Sequence, residues 1–194
     1  MAINDEALDV IFRGARTHRR WQDKKISTAL LMAVYDLLRW GPTSANCSPM
    51  RLVFVVSPEA KERLKPHLDT YNVRKTMAAP ATAIIAYDLD FAKNLLRLYP
   101  DDPAAAGWYG DPEKARLTAF RNGSLQGAYF IIAARALGLD CGPMSGFDND
   151  GVDREFFAGT AVKSNFLCNI GYGDPAGLRP RAPRLSFDEA CRIV

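Results

Sequence analysis

Residues 27–56, STALLMAVYDLLRWGPTSANCSPMRLVFVV, hold a helix, a breaker, a polar loop and a strand in immediate succession. Ser27 is of the N-cap type, and the apolar side chains after it recur with the period of an amphipathic helix, at Leu30, Leu31, Val34, Leu37 and Leu38. Gly41-Pro42 ends that helix, and the apolar run 52–56 is typical of a buried strand. A helix followed so closely by a strand excludes an all-β fold and indicates the α/β or α+β class.

The same periodicities predict the remaining elements. Helices are expected over 6–14, 58–68, 113–139, 150–157 and 187–194, and strands over 82–87 and 165–172. Residues 88–112 are rich in proline and glycine and predict an irregular excursion, while 141–147 is expected to be a turn-rich loop. At 194 residues the chain has the size of one domain, 1–194.

The composition excludes several classes of protein. Lys and Arg number 25 against 22 Asp and Glu, a formal charge of +3, which is too small to indicate a nucleic-acid-binding protein. No run approaches the roughly 18 apolar residues of a membrane span. The start of the chain, MAINDE, lacks the basic and apolar regions of a signal peptide, so a cytoplasmic protein is expected.

Neither metal nor dinucleotide chemistry has a readable motif. The cysteines are scattered and the histidines lie far apart, so no metal site is predicted from Cys47, Cys141, Cys168, Cys191, His18 and His67. Gly171 and Gly173 follow a predicted strand, but the third glycine of a dinucleotide fingerprint, Gly177, comes one position late. Pro175 and Pro180 also prevent the helix that the fingerprint must open.

Two basic clusters are candidate anion sites. The first follows the first predicted helix and contains Arg16, His18 and Arg20. The second lies near the C-terminus and contains Arg179, Arg181 and Arg184. An arginine fork matches a pair of phosphate oxygens, so the clusters either share one anion or are solvated surface charge.

Three polar loops, at 41–49, 72–75 and 142–147, are further candidates. Small and amide side chains in the first can hold a planar heterocycle by its edges, and glycines in the third leave backbone N–H groups open to developing negative charge. Each loop is also readable as ordinary turn chemistry. On the longest predicted helix, Gly123 and Gly127 form a small-residue flank, which indicates either loose core packing or a subunit contact.

Several segments carry a resemblance through essentially the whole chain. They are 15–18 (ARTH), 40–49 (WGPTSANCSP), 118–122 (TAFRN), 138–148 (GLDCGPMSGFD), 169–174 (NIGYGD) and 183–190 (PRLSFDEA). In this order they resemble the FMN-dependent nitroreductase family, and within it the branch that reduces malonic semialdehyde in pyrimidine degradation. The resemblance implies an α+β, three-layer sandwich with a central, mostly antiparallel sheet. It also implies an intertwined homodimer with FMN at the subunit interface.

The resemblance assigns roles to individual positions. Phosphate contacts fall on Arg16, His18, Arg20, Arg181 and Arg184. The loop along the flavin, expected from the partner subunit, falls on Pro42, Thr43, Ser44 and Asn46. A pyrimidine-edge contact falls on Asn72, and the loop whose N–H faces flavin N5 on Pro143, Met144, Ser145 and Gly146. The chain departs from the family at His18, where serine is usual, and at Ser48-Pro49-Met50, where Gln-Pro-Trp is common.

The implied reaction carries hydride from NAD(P)H through flavin N5 to an acceptor, so no catalytic Ser, Cys or His is required. With malonic semialdehyde the product is 3-hydroxypropionate. The substrate carboxylate needs a cation, for which Arg121 is the candidate unless it is a plain surface arginine. The alternatives are a nitro- or quinone reductase with the same cofactor, and a non-catalytic module that binds RNA or a partner through its arginines. We expect a small-molecule enzyme with no nucleic-acid or membrane partner.

Overall fold

The computed structural model describes residues 2–194 and is built on a four-stranded antiparallel sheet. Its strands are β1 (Met50–Val55), β2 (Ala81–Asp88), β3 (Asp140–Met144) and β4 (Val162–Gly171). The strand order is β1-β2-β4-β3, so β1 and β3 form the two edges. In the centre, β2 and β4 pair along their whole length, with Ala81 opposite Ile170 and Asp88 opposite Val162.

Helices cover both faces of this sheet. They are α1 (Asp5–Leu8), α2 (Thr28–Leu38), α3 (Pro58–Leu64), α4 (Thr70–Met77), α5 (Leu95–Leu98), α6 (Pro112–Ala136), α7 (Asn149–Phe156) and α8 (Phe187–Ala190). Short 3₁₀ segments lie at Ser44–Asn46, Lys65–His67, Phe91–Asn94, Pro103–Tyr109 and Pro175–Gly177, and α1 continues into the π-helical residues Asp9–Arg13. The predicted cap of α2 is confirmed, because the Ser27 side chain accepts the Leu30 N–H at 3.2 Å.

The sheet separates two apolar cores, which makes the molecule a three-layer sandwich. On one face α2 and α6 pack against the sheet, with Phe130 in the same cluster as Ile85. On the other face α3 and α7 contribute Leu64 and Val152 to a cluster with Ile84. Neighbouring residues of β2 thus point into different cores, as the pleat of a strand covered on both faces requires. The predicted α+β sandwich is confirmed.

The small-residue flank of α6 faces the sheet of its own chain. A Cβ on Gly123 would lie 3.0 Å from the Cβ of Tyr87, and one on Gly127 would lie 2.7 Å from the ring of Phe166. Both glycines are buried, and their missing side chains bring α6 close to β2 and β4. Of the two readings of the flank, core packing is correct, although the packing is close rather than loose.

Three sequence predictions about elements are wrong. The stretch 140–144 is not a turn-rich loop but β3; it tolerates Pro143 because an edge strand does not use every N–H in the ladder. Helix α4 was not predicted, because TYNVRKTM has no continuous apolar stripe and buries polar side chains, Asn72 and Thr76. The last helix ends at Ala190 instead of 194, where Cys191 turns to an extended backbone.

The excursion 88–112 is ordered and has an apolar core of its own. Phe91, Leu95 and Ala105 are buried in one cluster with Cys47 and Ala119. This cluster is separate from the two that cover the sheet. The segment therefore packs as an appendage on the 42–49 loop and on the first half of α6.

The cysteines behave as small buried residues, with one exception. Cys47, Cys141 and Cys168 are buried and Cys191 is exposed. Burial raises the pKa of the Cys47 thiol to about 11, and burial together with the neighbouring Cys141 raises the pKa of Cys168. Within residues 2–194 no three His, Cys, Asp or Glu side chains gather as a metal site would require, and no helix is long and apolar enough to cross a membrane.

Candidate functional site

A basic loop, residues 15–22, runs along the β3 edge of the sheet. The His18 N–H donates to the Cys141 carbonyl at 3.0 Å, and the Gln22 N–H donates to the Tyr172 carbonyl at 2.8 Å. The approach is close at Gly142, where a Cβ would lie 2.6 Å from the His18 carbonyl oxygen. These backbone contacts fix the basic loop on the sheet and so set the positions from which its arginines extend.

The C-terminal arginine cluster meets this loop. The Arg16 guanidinium donates to the Arg179 carbonyl. The Arg181 guanidinium donates to the carbonyls of Arg13 at 2.8 Å and Ala15 at 3.1 Å. Two clusters that are more than 150 residues apart in sequence therefore lie side by side in one chain.

The other two arginines predicted to contact phosphate, Arg20 and Arg184, also have protein partners. Arg20 pairs with Asp174 at 3.0 Å, and the Asp174 N–H donates back to the Arg20 carbonyl at 3.0 Å. Arg184 donates to the carbonyls of Ala182 and Pro183, at 3.0 Å each, within its own segment. Both arginine side chains are exposed, so they remain accessible to a ligand.

His18 lies inside the protein rather than on the surface of the loop. The residue is only 7% exposed, and its Nε2 lies 3.4 Å from a carboxylate oxygen of Asp140. The ring packs so closely on Gly173 that a Cβ at that position would overlap it. The resemblance implies a phosphate contact for His18, and in the single chain its ring lies beneath the loop, next to Asp140.

Two further cations, Arg19 in the basic loop and Lys75 beside it, were not among the predicted site residues. Arg19 is exposed, and Lys75 is half-buried on α4. Burial, and secondarily the positive charge of Arg19, lower the pKa of the Lys75 ammonium. The Trp21 indole N–H donates to the Lys75 carbonyl at 3.1 Å and ties α4 to the loop. For Lys75, the signal in the sequence was the basic pair Arg74-Lys75 shortly after Asn72. The pair alone does not indicate which of the two side chains faces the basic loop.

The 144–147 turn is fastened by α4. The Asn72 amide donates to the Gly146 carbonyl at 2.5 Å, and the Asp69 N–H donates to the same oxygen at 3.2 Å. Met144 is buried, whereas Ser145 is exposed. In the described part of the chain, residues 2–194, the N–H groups of Ser145 and Gly146 donate to no protein acceptor. The turn thus presents free backbone donors from a fixed position.

The second group of predicted residues lies on a loop with a strained backbone, 42–49. Ala45, Asn46 and Ser48 have φ angles of 48°, 50° and 39°, in the left-handed region that residues with a Cβ seldom adopt. Each such residue costs about 1–2 kcal/mol. Backbone strain of this kind persists where the surroundings over-determine the conformation, and it is concentrated at functional sites.

Contacts with α6 and α5 hold the strained loop in place. The Ser44 N–H donates to the Asn122 side-chain oxygen at 2.9 Å, and the Asn46 amide donates to the Leu98 carbonyl at 2.8 Å. Arg121 precedes Asn122 on α6, is exposed, and makes no ion pair with a carboxylate of residues 2–194. The strained loop, the Asn122 side chain that accepts its N–H, and the exposed Arg121 therefore lie in one region.

The basic loop and the strained loop lie at opposite edges of the sheet. The basic loop follows β3, whereas 42–49 leads directly into β1 at Met50. At a strand spacing of about 4.8 Å, the two edges of four strands are about 14 Å apart. Asn122 also belongs to the α2–α6 face of the sheet, and Met144 to the α3–α7 face. Within one chain, then, the predicted site residues form two separate groups.

The nitroreductase family model matches residues 12–172 of the chain. The chain belongs to the nitroreductase family. A protein of Stenotrophomonas maltophilia strain K279a, provisionally named NADH dehydrogenase/NAD(P)H nitroreductase, is 60% identical over 194 residues, which are 100% of this chain and 98% of that protein. A protein of Burkholderia lata with the same provisional designation is 59% identical over 191 residues, 98% of each chain.

A solved structure shares the fold. It is a provisionally named nitroreductase from Exiguobacterium sibiricum in complex with FMN, with a TM-score of 0.87 at 20% sequence identity, and the match covers 100% of this chain and 99% of that one. At that identity the likeness shows the architecture alone.

The sequence analysis did not identify the two aspartates that contact the basic loop. Asp140 and Asp174 each contact the loop, at His18 and Arg20. Both lie in segments that carry the family resemblance, but a single aspartate after an apolar run has no spacing that predicts a partner. Gly173 was noted in an incomplete dinucleotide fingerprint and in a segment that carries the resemblance, but neither indicated that its missing side chain makes room for the His18 ring.

The strained loop of the nitroreductase predicts a difference between two substitutions at one position. Ala45→Gly should leave the free energy of unfolding within about 1 kcal/mol of wild type, because glycine adopts the left-handed region freely but adds entropy to the unfolded chain. Ala45→Val should lower it by about 1–2 kcal/mol or more, because a β-branched residue clashes there. Urea denaturation of both variants measures the difference, and equal stabilities would contradict the left-handed geometry.

Proposed function

We propose that this nitroreductase is an FMN-dependent oxidoreductase that uses NAD(P)H and works as an intertwined homodimer with FMN at the subunit interface. The observation that carries the proposal is the convergence of Arg16 with the 179–181 segment at the β3 edge, the same strand that leads into a turn with free backbone donors. The names of the relatives support NAD(P)H, and the FMN held by the structural neighbour supports the cofactor.

The donors in this chain fit FMN. A phosphate dianion needs N–H donors and positive charge, which Arg16, Arg20, Arg181 and Arg184 supply from the N- and C-terminal clusters. An isoalloxazine ring presents an acceptor nitrogen at N5, for which Gly146 and its neighbour offer free N–H groups. When bound, FMN supplies hydride transfer between NAD(P)H and the acceptor.

The residues of the chain supply position and charge for that chemistry. The guanidinium groups hold the phosphate and so orient the ring. Asn72 and Asp69 fix the Gly146 carbonyl, so the donors of the turn are aimed before the reaction begins and cost no reorganisation during it. Lys75 lies on the same helix as Asn72 and adds a cation to this side of the site.

A second copy of the chain would complete the site. The strained loop, with Pro42, Thr43, Ser44 and Asn46, is at the β1 edge and cannot reach the basic loop of its own chain across the sheet. Large apolar side chains on α2 and α6 and beside them are exposed in the single chain, as expected of surfaces that a partner covers, and include Met32, Tyr35, Trp40, Leu125 and Tyr129. A symmetric dimer brings the strained loop of one copy to the basic loop of the other.

For the acceptor, malonic semialdehyde is the substrate we propose, reduced to 3-hydroxypropionate in pyrimidine degradation. Arg121 supports this choice, because it is an exposed cation next to the residue that anchors the strained loop, and it has no carboxylate partner in residues 2–194. The second candidate is a broad-specificity nitro- or quinone reductase, which the names of the relatives favour. A non-catalytic module that binds through its basic clusters is the third.

The phosphate site is tested by Arg16→Ala, with Arg63→Ala as the control because Arg63, on α3, pairs with Glu155 on α7. Loss of a charge-assisted contact worth about 1.5–3 kcal/mol should weaken FMN binding about 10- to 100-fold. Quenching of flavin fluorescence measures the affinity, and the wild-type protein should be yellow. A colourless wild type that takes up no added FMN would support the non-catalytic module, and wild-type affinity in Arg16→Ala would remove Arg16 from the site.

The shared site is tested by complementation between Arg16→Ala and Ser44→Trp, since Ser44 is exposed in the single chain and a bulky ring there should block the flavin. In a random mixture of dissociated and reassembled dimers, half are mixed, and each mixed dimer has one site with both defects and one with neither. About a quarter of the wild-type activity should return. No recovery on reassembly would place both defects in the same site of one chain.

The substrate carboxylate is tested by Arg121→Ala, with Arg116→Ala on the same helix as the control because Arg116 pairs with Glu113. Arg121→Ala should raise KM for malonic semialdehyde about tenfold, because a charge-assisted contact is lost, and leave the FMN content and KM for an uncharged nitroaromatic unchanged. Unchanged KM for the semialdehyde would reject the role. A higher wild-type kcat/KM for the nitroaromatic would favour the second candidate.

A further inference from the structure

Asp140, the first residue of β3, joins two parts of the chain that no predicted site residue joins. One carboxylate oxygen accepts the Gly173 N–H at 2.8 Å, and the other lies 3.4 Å from Nε2 of His18. Gly173 follows the end of β4, and His18 is the centre of the basic loop. The carboxylate therefore bridges the sheet and the loop.

The His18 ring depends on this bridge for its polar contacts. Its Nδ1 is buried and has no hydrogen-bond partner among residues 2–194, so the Asp140 carboxylate is the polar group that faces the ring. The His18 side chain is 8% exposed and the Asp140 side chain 38%, so solvent competes little at the ring. Trp21 borders the ring on another side, with ring centroids 6.3 Å apart. Below the ring, the missing side chain of Gly173 leaves the space that the ring occupies. The ring has a single place in this packing.

The backbone of the basic loop is paired with the sheet on both sides of His18. Thr17 pairs with Cys141, next to Asp140 in β3, and Trp21 pairs with Gly173, so both ends of the loop are tied to the residues that hold His18. Arg16 and Arg20 lie two positions before and after His18. A movement of the ring would therefore move Arg16 and Arg20, the two arginines of the loop that are predicted to contact the phosphate.

We propose that Asp140 is a positioning residue for the phosphate of FMN and acts through His18. The inference rests on the proposed function, because the phosphate contacts of Arg16 and Arg20 belong to it. A carboxylate cannot itself bind a phosphate dianion, so any effect of Asp140 on the phosphate passes through the group that it holds. The residue fixes the loop in the conformation in which its arginines face one anion.

The experiment compares FMN with riboflavin, which has the same ring and no phosphate. Binding of both is measured by flavin fluorescence quenching on the wild type, Asp140→Asn and the control Glu155→Gln, whose side chain has a similar exposure of 35% and an arginine partner. Asp140→Asn should weaken FMN binding about tenfold and leave riboflavin binding within about twofold, while the control changes neither. A general loss of structure would weaken both ligands together.

A second pair of variants tests whether Asp140 acts through His18. The same pair replaces Asp140→Asn if that variant does not fold. His18→Gln keeps an N–H donor toward the carboxylate and should retain the wild-type ratio of FMN to riboflavin affinity, whereas His18→Ala should lower that ratio about tenfold. In a double-mutant cycle, Asp140→Asn should add little to His18→Ala, because both remove one contact.

The outcomes separate the inference from the proposed function. If the wild type binds neither flavin, the proposed function fails. If the wild type binds FMN in a manner that depends on Arg16, and the FMN to riboflavin ratio is unchanged in Asp140→Asn or in His18→Ala, the proposed function stands and the positioning role of Asp140 is overturned.

Discussion

The width of the sheet governs how this member of the nitroreductase family can build a site. Four strands place β1 and β3 about 14 Å apart, and the two groups of candidate residues are attached to these two edges. Helices on both faces leave no path through the sandwich by which one group could reach the other. A dimer is therefore a geometric requirement of the proposed site. The exposed apolar side chains of α2 and α6 agree with that requirement.

At the β3 edge, acidic residues beneath the loop make a dense positive cluster possible. Arginines in close succession repel one another, and Asp174 offsets part of that repulsion by pairing with Arg20. One layer deeper, the Asp140 carboxylate lies 3.4 Å from Nε2 of His18. Arg19 and Lys75 receive no such compensation from residues 2–194. The surface thus keeps net positive charge for an anion while the supports keep the backbone in place.

Sequence periodicity was a good guide where a helix has an apolar stripe and failed where it has none. Helix α2 and strands β1, β2 and β4 follow from their patterns, because burial of one face is what those patterns encode. Helix α4 did not follow, since its buried face is made of Asn72 and Thr76. Strand β3 was hidden by Gly142 and Pro143, which are turn residues in most contexts and are tolerated here at a sheet edge.

For the site, sequence located the charged side chains but not their neighbours. The meeting of Arg16 with the 179–181 segment was one of two open readings, because nothing local decides whether two distant clusters share a place. The burial of His18 could not be predicted from the sequence. It depends on the missing side chain of Gly173, a residue far away in the chain that packs against the ring. The resemblance assigned His18 a role by its position in a motif, and the motif carries no information on the burial of its ring.

The appendage that packs on the strained loop has an apolar core separate from those that cover the sheet. Phe91, Leu95 and Ala105 close their own small core with Cys47 and Ala119, and none of the three contributes to the clusters that hold the sheet. An insertion or deletion in 91–109 should accordingly spare the two clusters that cover the sheet. A change in the appendage therefore acts first on the strained loop, because the Asn46 amide donates to the Leu98 carbonyl of α5.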